Sequence, residues 1–387
     1  MRLELTGIAA GGEAVGRLDG QVVFVYGGIP GETVDAAVLS VKRSFLRART
    51  TEVVTPSPWR VQPRCSYVGR CGGCDWQHIA SAHQATLKTQ IAREQLQRIG
   101  RVDPVLVRDC LAASEAFGYR STVRFHLRGR VPGLLGYSSR TVVFVDRCEV
   151  ATEPINDWLR DGDRSELPET DVDVVVRGSA RTGKLAVAPV LREHQRRALE
   201  LEAWEEEVAG RRYHVSPYAF FQANPPAADL LVEVVREGLA GGPRDLLVDA
   251  YAGVGLFCAA VGGDYTRVLA IEADRNAVSD ATFNTFGLQA VQPVHGDVAT
   301  ALAKLGLRGG SLIADPPRAG MTPEALAAVL HMRPVVIAAV SCDVATLARD
   351  LERLGAAGYR VEWVQPVDMF PQTHHFELVA RLVDAAG

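Results

Sequence analysis

The sequence predicts an α/β fold in the C-terminal half of the chain, preceded by a small β-barrel and a second β-rich region. From about residue 213, short apolar runs without polar alternation take turns with helical segments. This is typical of parallel strands buried on both faces. The runs occupy residues 246–249, 268–271, 291–294, 311–314 and 334–340. We expect them to form an open, mostly parallel sheet with helices on both sides.

Two further runs, 360–364 and 377–382, follow the parallel strands. They are close enough in sequence to pair with each other, and we expect them to form an antiparallel edge of the sheet. Helices are predicted between the earlier strands, for example over residues 323–330 and 344–354.

The first 56 residues favour a small barrel. Glycine turns separate short strand-like runs such as 21–26 and 33–41, a spacing typical of about five strands that close on each other. Residues 57–210 begin with a proline-rich linker and continue as an irregular β-rich region. We therefore expect three domains, 1–56, 57–210 and 211–387, with a polar helix over 81–99 packing on the last of them.

Positive charge is concentrated locally, although the whole chain is slightly acidic. The net charge is −4, which does not indicate a nucleic-acid partner. Residues 41–70 nevertheless carry seven basic side chains against one acid, Glu52; this run is either a solvated face or a phosphate contact, and both readings stay open. No apolar run approaches the ~20 residues of a membrane span. We expect a cytoplasmic, monomeric protein with no membrane partner.

Four of the seven cysteines have the spacing of a metal site. Cys65, Cys71 and Cys74 form a C-x5-C-x2-C pattern, and Cys148 is a plausible fourth ligand. Four thiolates suit tetrahedral zinc or an iron–sulfur cluster, and the spacing does not decide between them. The remaining cysteines besides Cys342 have no assigned role, and we expect Cys110 and Cys258 to be small core residues.

A glycine loop after the first parallel strand predicts a nucleoside cofactor. Asp249 is followed at four residues' distance by Gly253 and then by Gly255, and Glu272 ends the next strand. The glycines let the backbone approach a ligand, and an acid in the second position can bind ribose hydroxyls. A dinucleotide is disfavoured, because the third glycine of its motif falls on Cys258. The pattern is typical of enzymes that use S-adenosylmethionine.

A thiol and two carboxylates follow at the ends of later strands. Asp315 follows one parallel strand, Cys342 follows the next, and Glu377 opens the last apolar run. The dipole of the helix after Cys342 is expected to favour its thiolate. A thiolate that adds to carbon 6 of uracil makes carbon 5 nucleophilic, and a base must later remove the carbon 5 proton. The alternatives without a catalytic role are that Cys342 is a buried structural cysteine and that Glu377 is a solvated glutamate.

Five stretches in order resemble the RNA uridine-5-methyltransferase family. They are residues 220–224, 249–255, 315–318, 341–343 and 370–377. The resemblance implies a Rossmann-like class I methyltransferase domain in which Cys342 is the nucleophile and Glu377 the general base. It also implies S-adenosylmethionine contacts from Gln222, Tyr251, Glu272 and Asp315.

One position departs from this family. Some relatives carry an asparagine five residues after the aromatic of the glycine loop, where this sequence has Leu256. The cofactor contact made by that asparagine is therefore not predicted for this chain. Asp297 is instead a candidate for the adenine side of the cofactor.

The N-terminal segments 11–17 and 28–32 resemble the TRAM domain, an OB-like barrel that binds RNA. Family members with Cys-Gly-Gly-Cys at residues 71–74 carry a [4Fe-4S] cluster, so the resemblance favours this cluster over zinc. The appended barrel favours ribosomal RNA over transfer RNA as the partner, by analogy alone.

Two other functions remain open at this stage. An RNA cytosine-5 methyltransferase also needs a cysteine and a carboxylate, although residues 370–377 favour uracil. A non-catalytic RNA-binding or chaperone protein on the same fold would be expected to lose Cys342 or Glu377, and both are present.

Overall fold

The computed structural model describes residues 1–113, 115–190 and 203–385. Within these residues the chain forms a closed barrel, a central antiparallel sheet, a separate hairpin and a large mixed sheet. None of the described helices is both long and apolar enough to cross a membrane.

The barrel predicted for the N-terminus is confirmed. Its strands are β1 (Arg2–Ile8), β2 (Ala14–Leu18), β3 (Gln21–Tyr26), β4 (Thr33–Val41) and β5 (Phe45–Thr55). They close in the order β1-β2-β3-β5-β4, and β3 and β5 run parallel. Alternate side chains such as Leu5, Val23 and Val34 fill the interior, as the period of two in a strand requires.

A long helix, α1 (Ser81–Gly100), follows the cysteine-rich segment. It packs against helix α8 (Val344–Ala356) of the C-terminal region. A Cβ atom at Gly100 would lie 2.8 Å from the carbonyl oxygen of Ala348, so glycine permits this close approach. Leu87, Ile91 and Leu96 therefore belong to the core that lies beneath the large sheet.

The central sheet is antiparallel, in the order β11-β10-β7-β8-β9. Its strands are β7 (Thr122–Arg128), β8 (Val131–Leu135), β9 (Val142–Phe144), β10 (Val172–Gly178) and β11 (Leu185–Pro189). Helix α2 (Glu153–Asp161) covers one face, where Trp158 packs 5.6 Å from the ring of Phe125. A two-residue strand, β6 (Leu111–Ala112), leaves this region and joins the large sheet. Strands β12 (Trp204–Val208) and β13 (Arg211–Val215) form the separate hairpin.

The large sheet has the order β16-β15-β14-β17-β18-β20-β19-β6. Its remaining strands are β14 (Leu246–Ala250), β15 (Arg267–Glu272), β16 (Val291–His295), β17 (Ser311–Ala314), β18 (Val336–Ser341), β19 (Tyr359–Asp368) and β20 (Glu377–Asp384). Strands β14 to β18 are parallel, and β20 is antiparallel to both β18 and β19. Besides α1 and α8, its helices are α3 (Pro225–Gly238), α4 (Leu256–Val261), α5 (Arg275–Asn284), α6 (Val298–Leu305) and α7 (Pro323–Met332).

The predicted antiparallel edge is wrong in one respect. Strands β19 and β20 do pair with each other, but β20 also pairs with β18, and β6 lies outside β19. The outermost position thus belongs to β6, a strand from the central region. A strand of only two residues is too short to show an alternating pattern in the sequence.

Both faces of the large sheet are buried, as the continuous apolar runs predict. Val248 and Leu269 point into one core, which contains α1, whereas Leu247 and Val268 point into the other. This double burial explains why these strands lack polar alternation.

Candidate active site

Five neighbouring strands each bring one carboxyl or thiol side chain to the same edge of the sheet. In sheet order these are Glu272 on β15, Asp249 on β14, Asp315 after β17, Cys342 after β18 and Glu377 on β20. The first four lie at or near the carboxyl ends of parallel strands, which meet at one edge. Glu377 joins them from the start of its strand, because β20 runs in the opposite direction.

The register of the antiparallel pair places Cys342 and Glu377 next to each other. Ser341 is paired with Leu378 at the end of the ladder. Cys342 directly follows Ser341 and Glu377 directly precedes Leu378, so the two residues lie close together where the pairing ends, and the charge of Glu377 acts on the Cys342 thiol. Cys342 is an exposed residue, whereas Glu377 is 6% exposed.

Three carboxyl groups in this row, those of Asp249, Asp315 and Glu377, have raised pKa values and keep their protons more readily than usual. Burial raises the pKa of Asp249 to about 7, with a further contribution from Asp315 and Glu272. Burial also raises the pKa of Asp315 to about 7. Burial and the charge of Asp315 hold the pKa of Glu377 well above its usual value.

The expected thiolate at Cys342 is not favoured in the free protein. Burial, then the charges of Glu377 and Asp315, raise the pKa of the Cys342 thiol to about 11. The dipole at the start of α8 favours the thiolate, but two carboxyl groups from neighbouring strands oppose it. The raised pKa favours the thiol over the thiolate at neutral pH.

The glycine loop is braced from the second strand. One oxygen of Glu272 accepts a hydrogen bond from the Gly253 amide at 2.9 Å, and the other accepts from Ala273 and Asp274 at 2.7 and 2.8 Å. A Cβ atom at Gly253 would meet nothing within 4 Å, so the loop borders open space. The positive φ of Gly255, 90°, suits glycine at the start of α4.

Asp249 was not among the predicted site residues, although it begins the glycine-loop motif. Its side chain is fully buried. One oxygen accepts from the Cys258 amide at 2.9 Å, and the other has no hydrogen-bond partner in the part of the chain that the structure describes. A buried oxygen left in this state is expected to have a ligand partner. The leading acid of the motif was the available sequence signal.

Three further residues predicted to bind the cofactor lie in different surroundings. Tyr251 packs against the core beneath the sheet, and burial with the charge of Asp297 raises its pKa to about 12. Asp297 itself is exposed and caps α6, because its carboxylate accepts from the Thr300 amide at 3.1 Å. Gln222 is buried in the segment that leads into α3.

The four predicted metal ligands line one cavity of about 200 Å³. These are Cys65, Cys71, Cys74 and Cys148. The Gly73 amide donates to the sulfur of Cys71 at 3.3 Å. Among the described residues, however, no group of three or more histidine, cysteine, aspartate or glutamate side chains is arranged to hold a metal ion. The predicted metal site is therefore not confirmed.

A surface of arginines and aromatic rings joins the barrel to the central sheet. The guanidinium of Arg47 lies 5.9 Å from the ring centroids of both Phe24 and Phe45. Arg49 lies 5.5 Å from the ring centroid of Tyr137, which belongs to the central region. Cationic and aromatic groups in this arrangement can contact phosphates and stack on bases.

Two family models match the chain. The TRAM domain matches residues 1–51, which form the barrel. The tRNA (uracil-5-)-methyltransferase model matches residues 306–383, a span that contains Asp315, Cys342 and Glu377.

Relatives match over almost the whole length. An uncharacterized RNA methyltransferase of Streptomyces avermitilis is 34% identical over 434 residues, which cover 99% of this chain and 98% of the relative. Another, from Caldanaerobacter subterraneus, is 30% identical and covers 98% of this chain and 96% of the relative. This chain belongs to a family of RNA methyltransferases. The enzyme is thus an RNA methyltransferase, and the predicted enzyme class, a methyltransferase, is confirmed.

A solved structure also matches this methyltransferase. The crystal structure of Pyrococcus abyssi tRNA (uracil-54, C5)-methyltransferase in complex with S-adenosyl-L-homocysteine has a TM-score of 0.74 and 23% sequence identity. The match covers 99% of this chain and 100% of the other. It confirms the predicted fold class, a class I methyltransferase sheet with an N-terminal barrel.

Proposed function

We propose that this enzyme transfers a methyl group from S-adenosylmethionine to carbon 5 of a uridine in RNA. The observation that carries the proposal is that Cys342 and the buried Glu377 directly adjoin the last residue pair of β18 and β20, Ser341 and Leu378. A nucleophile and a base side by side are what a uracil ring needs, because its carbon 5 is not nucleophilic until carbon 6 is attacked.

In the proposed mechanism, the Cys342 thiol gives up its proton to solvent when the substrate binds, and the thiolate attacks carbon 6 of the flipped-out uracil. The carbon–sulfur bond forms as the ring π electrons move toward oxygen 4, which gives an enolate. Carbon 5 then bonds to the methyl group, whose bond to the sulfonium breaks. Glu377 takes the carbon 5 proton, the electron pair left behind restores the double bond, and the sulfur of Cys342 leaves. Asp315 is proposed to hydrogen-bond the polar edge of the ring, and the base must leave its stack to reach the site.

The residues around the glycine loop fit S-adenosylmethionine. The unpartnered buried oxygen of Asp249 and the open space beside Gly253 support a ligand at this position. When bound, the cofactor supplies an electrophilic methyl group. The residues proposed to hold it are Gln222, Tyr251, Gly253, Gly255, Glu272, Asp297 and Asp315, to which we add Asp249.

The cysteine cavity fits a [4Fe-4S] cluster better than a zinc ion. The four thiolates of a cluster surround a cube of atoms, whereas the thiolates of a zinc site converge on one ion at about 2.3 Å. A cavity of about 200 Å³ lined by all four cysteines suits the larger group. With four protein ligands the cluster would cross-link the central region, and no step of the reaction is assigned to it.

RNA is proposed to lie across domains 1–56 and 57–210 and to present its uridine to domain 211–387. The arginines and aromatic rings that join the first two regions support this path. We favour ribosomal RNA over transfer RNA because a TRAM barrel is appended.

The direct test incubates anaerobically purified enzyme with labelled S-adenosylmethionine and unmodified total RNA, followed by nucleoside analysis. Label in 5-methyluridine that is lost in Cys342→Ala is the expected result. Label in 5-methylcytidine would replace uracil by cytosine as the target base. No transfer from enzyme that binds the cofactor would favour a non-catalytic RNA-binding protein.

A further inference from the structure

The loop between β19 and β20 ends at Glu377, and it is held by parts of the chain far away in sequence. Four consecutive carbonyl groups, those of residues 369–372, each accept a hydrogen bond from a different segment. The donors are the side chains of Asn224, Lys88 and Tyr119 and the backbone amide of Trp76. The position of the loop is thus set by α1, the cysteine-rich segment and the central region as well as by the sheet.

At the centre of this arrangement two buried amide side chains face each other. The Gln372 backbone amide donates to Oε1 of Gln84 at 2.8 Å, and Nε2 of Gln84 donates to Oε1 of Gln372 at 3.1 Å. Both residues are 1% exposed. Gln372 has a φ of 71°, a conformation that a residue with a Cβ atom adopts only when its surroundings hold it there. Gln84 supplies that restraint on Gln372, which lies five residues before Glu377.

Neighbouring contacts fix the two ends of the same loop. Lys88, one helical turn after Gln84, is fully buried and binds Oδ1 of Asp368 at 2.5 Å. At the other end, Asp75 accepts from the His374 amide at 3.2 Å and contacts its ring nitrogen at 2.5 Å. The loop therefore has little freedom to move independently of α1.

We propose that Gln84 is a positioning residue that holds Glu377 where it can take the carbon 5 proton. It acts through Gln372 and touches neither RNA nor cofactor. This inference rests on the proposed function, because it assigns Gln84 to one step of that reaction. Loss of Gln84 should slow the release of the methylated base from Cys342 more than it slows the attachment.

The test measures attachment and release separately in a single turnover. Gln84→Leu keeps the approximate size of the side chain and removes both of its polar atoms. After mixing with labelled S-adenosylmethionine and substrate RNA, denatured samples are scored for methylated RNA linked to protein and for free methylated RNA. We expect the linked species to form and then decay about 10- to 100-fold more slowly than in the parent enzyme, the loss that a misplacement of about 1 Å brings. The RNA KM should change by less than about 2-fold.

Two comparison variants separate positioning from general loss of stability. Leu96→Ala removes a buried side chain three turns further along α1, and it should lower the melting temperature while decay of the linked species keeps the parent rate. Tyr119→Phe removes only the hydroxyl that donates to the Pro371 carbonyl at 2.8 Å. It is expected to slow decay in the same direction by a smaller factor, and it keeps the test available if Gln84→Leu does not fold.

The outcomes also separate this inference from the proposed function. If the parent enzyme forms no protein-linked methylated RNA and no 5-methyluridine, the proposed function fails. If the parent enzyme does both, but folded Gln84→Leu releases product at the parent rate, Gln84 does not position Glu377. If Tyr119→Phe also releases product at the parent rate, the contacts that hold the loop do not set the rate of release, and the proposal fails. If Leu96→Ala slows decay of the linked species as much as Gln84→Leu does, the effect of Gln84 is one on stability and not on the position of Glu377.

Discussion

The affinity of the enzyme for S-adenosylmethionine is expected to rise with pH through the neutral range. In the free protein the pKa values of Asp249 and Asp315 are both raised to about 7. A cationic ligand favours the ionised form of a nearby carboxyl group, so binding must displace a proton wherever the free enzyme still holds one. Below about pH 7 this displacement opposes binding, and above it the opposition disappears.

The size of the effect follows from the pKa. If one carboxyl group with a pKa of about 7 is ionised in the complex, about one tenth of the free enzyme is ready to bind at pH 6 and about nine tenths at pH 8. The affinity then differs about 10-fold, which corresponds to about 1.4 kcal/mol. If Asp249 and Asp315 must both ionise, the difference approaches about 100-fold.

Titration calorimetry at several pH values, in buffers with different ionisation enthalpies, measures both the affinity and the protons released. S-adenosylhomocysteine is the matched control because it lacks the sulfonium charge, and its affinity should depend less on pH. Asp315→Asn should flatten the profile for the cationic ligand. An affinity that stays constant from about pH 6 to about pH 8, or an equal slope for both ligands, would refute the electrostatic reasoning.

Other expected outcomes concern single residues. Glu377→Gln should accumulate methylated RNA linked to the enzyme, visible as a slower band in a denaturing gel, whereas Cys342→Ala should form none; a free methylated product from Cys342→Ala would contradict the role of the thiol. Lys88→Met leaves Asp368 buried without its partner and should lower the free energy of unfolding by about 3–5 kcal/mol in urea denaturation. A second change, Asp368→Asn, should restore part of that loss. No loss in the single variant would contradict the buried ion pair. Cys74→Ser should lower the iron and sulfide content of anaerobically purified enzyme, and an equal iron content in both proteins would contradict a cluster in the cysteine cavity.

The sequence predicts the large sheet well because burial on both faces leaves a strong signal. The strands beginning at Leu246 and Ser311 read as continuous apolar runs, and their ends hold the side chains of the candidate site. The rule that parallel strands place their chemistry at their carboxyl ends was enough to collect Asp315 and Cys342. Glu377 needed one more fact, the reversed direction of β20, which pairing of the last two runs implies.

What the sequence could not predict depends on contacts between distant segments. Nothing in the pattern around Gln84 or Lys88 distinguishes them from ordinary polar residues of a solvated helix, yet both are buried against a loop almost 300 positions away. The protonation of Cys342 was misjudged for the same reason, because the carboxyl groups that surround it come from two other strands. The dipole of a helix next to a residue can be predicted from the sequence. The charges that other strands bring to the same residue can be predicted only when the order and register of the strands are known.

The ion pair between Lys88 and Asp368 also constrains the order in which the chain can assemble. Its partners are 280 positions apart, so α1 is synthesised long before the helix and strands that cover it. Until then Leu87, Ile91 and Leu96 have no core to enter, and the nascent chain exposes an apolar stripe that could associate with other chains. Contacts at such separation close slowly. The candidate site is completed only when β20 has been made, so an interrupted translation product would leave the N-terminal half without its anchor as well as without Glu377.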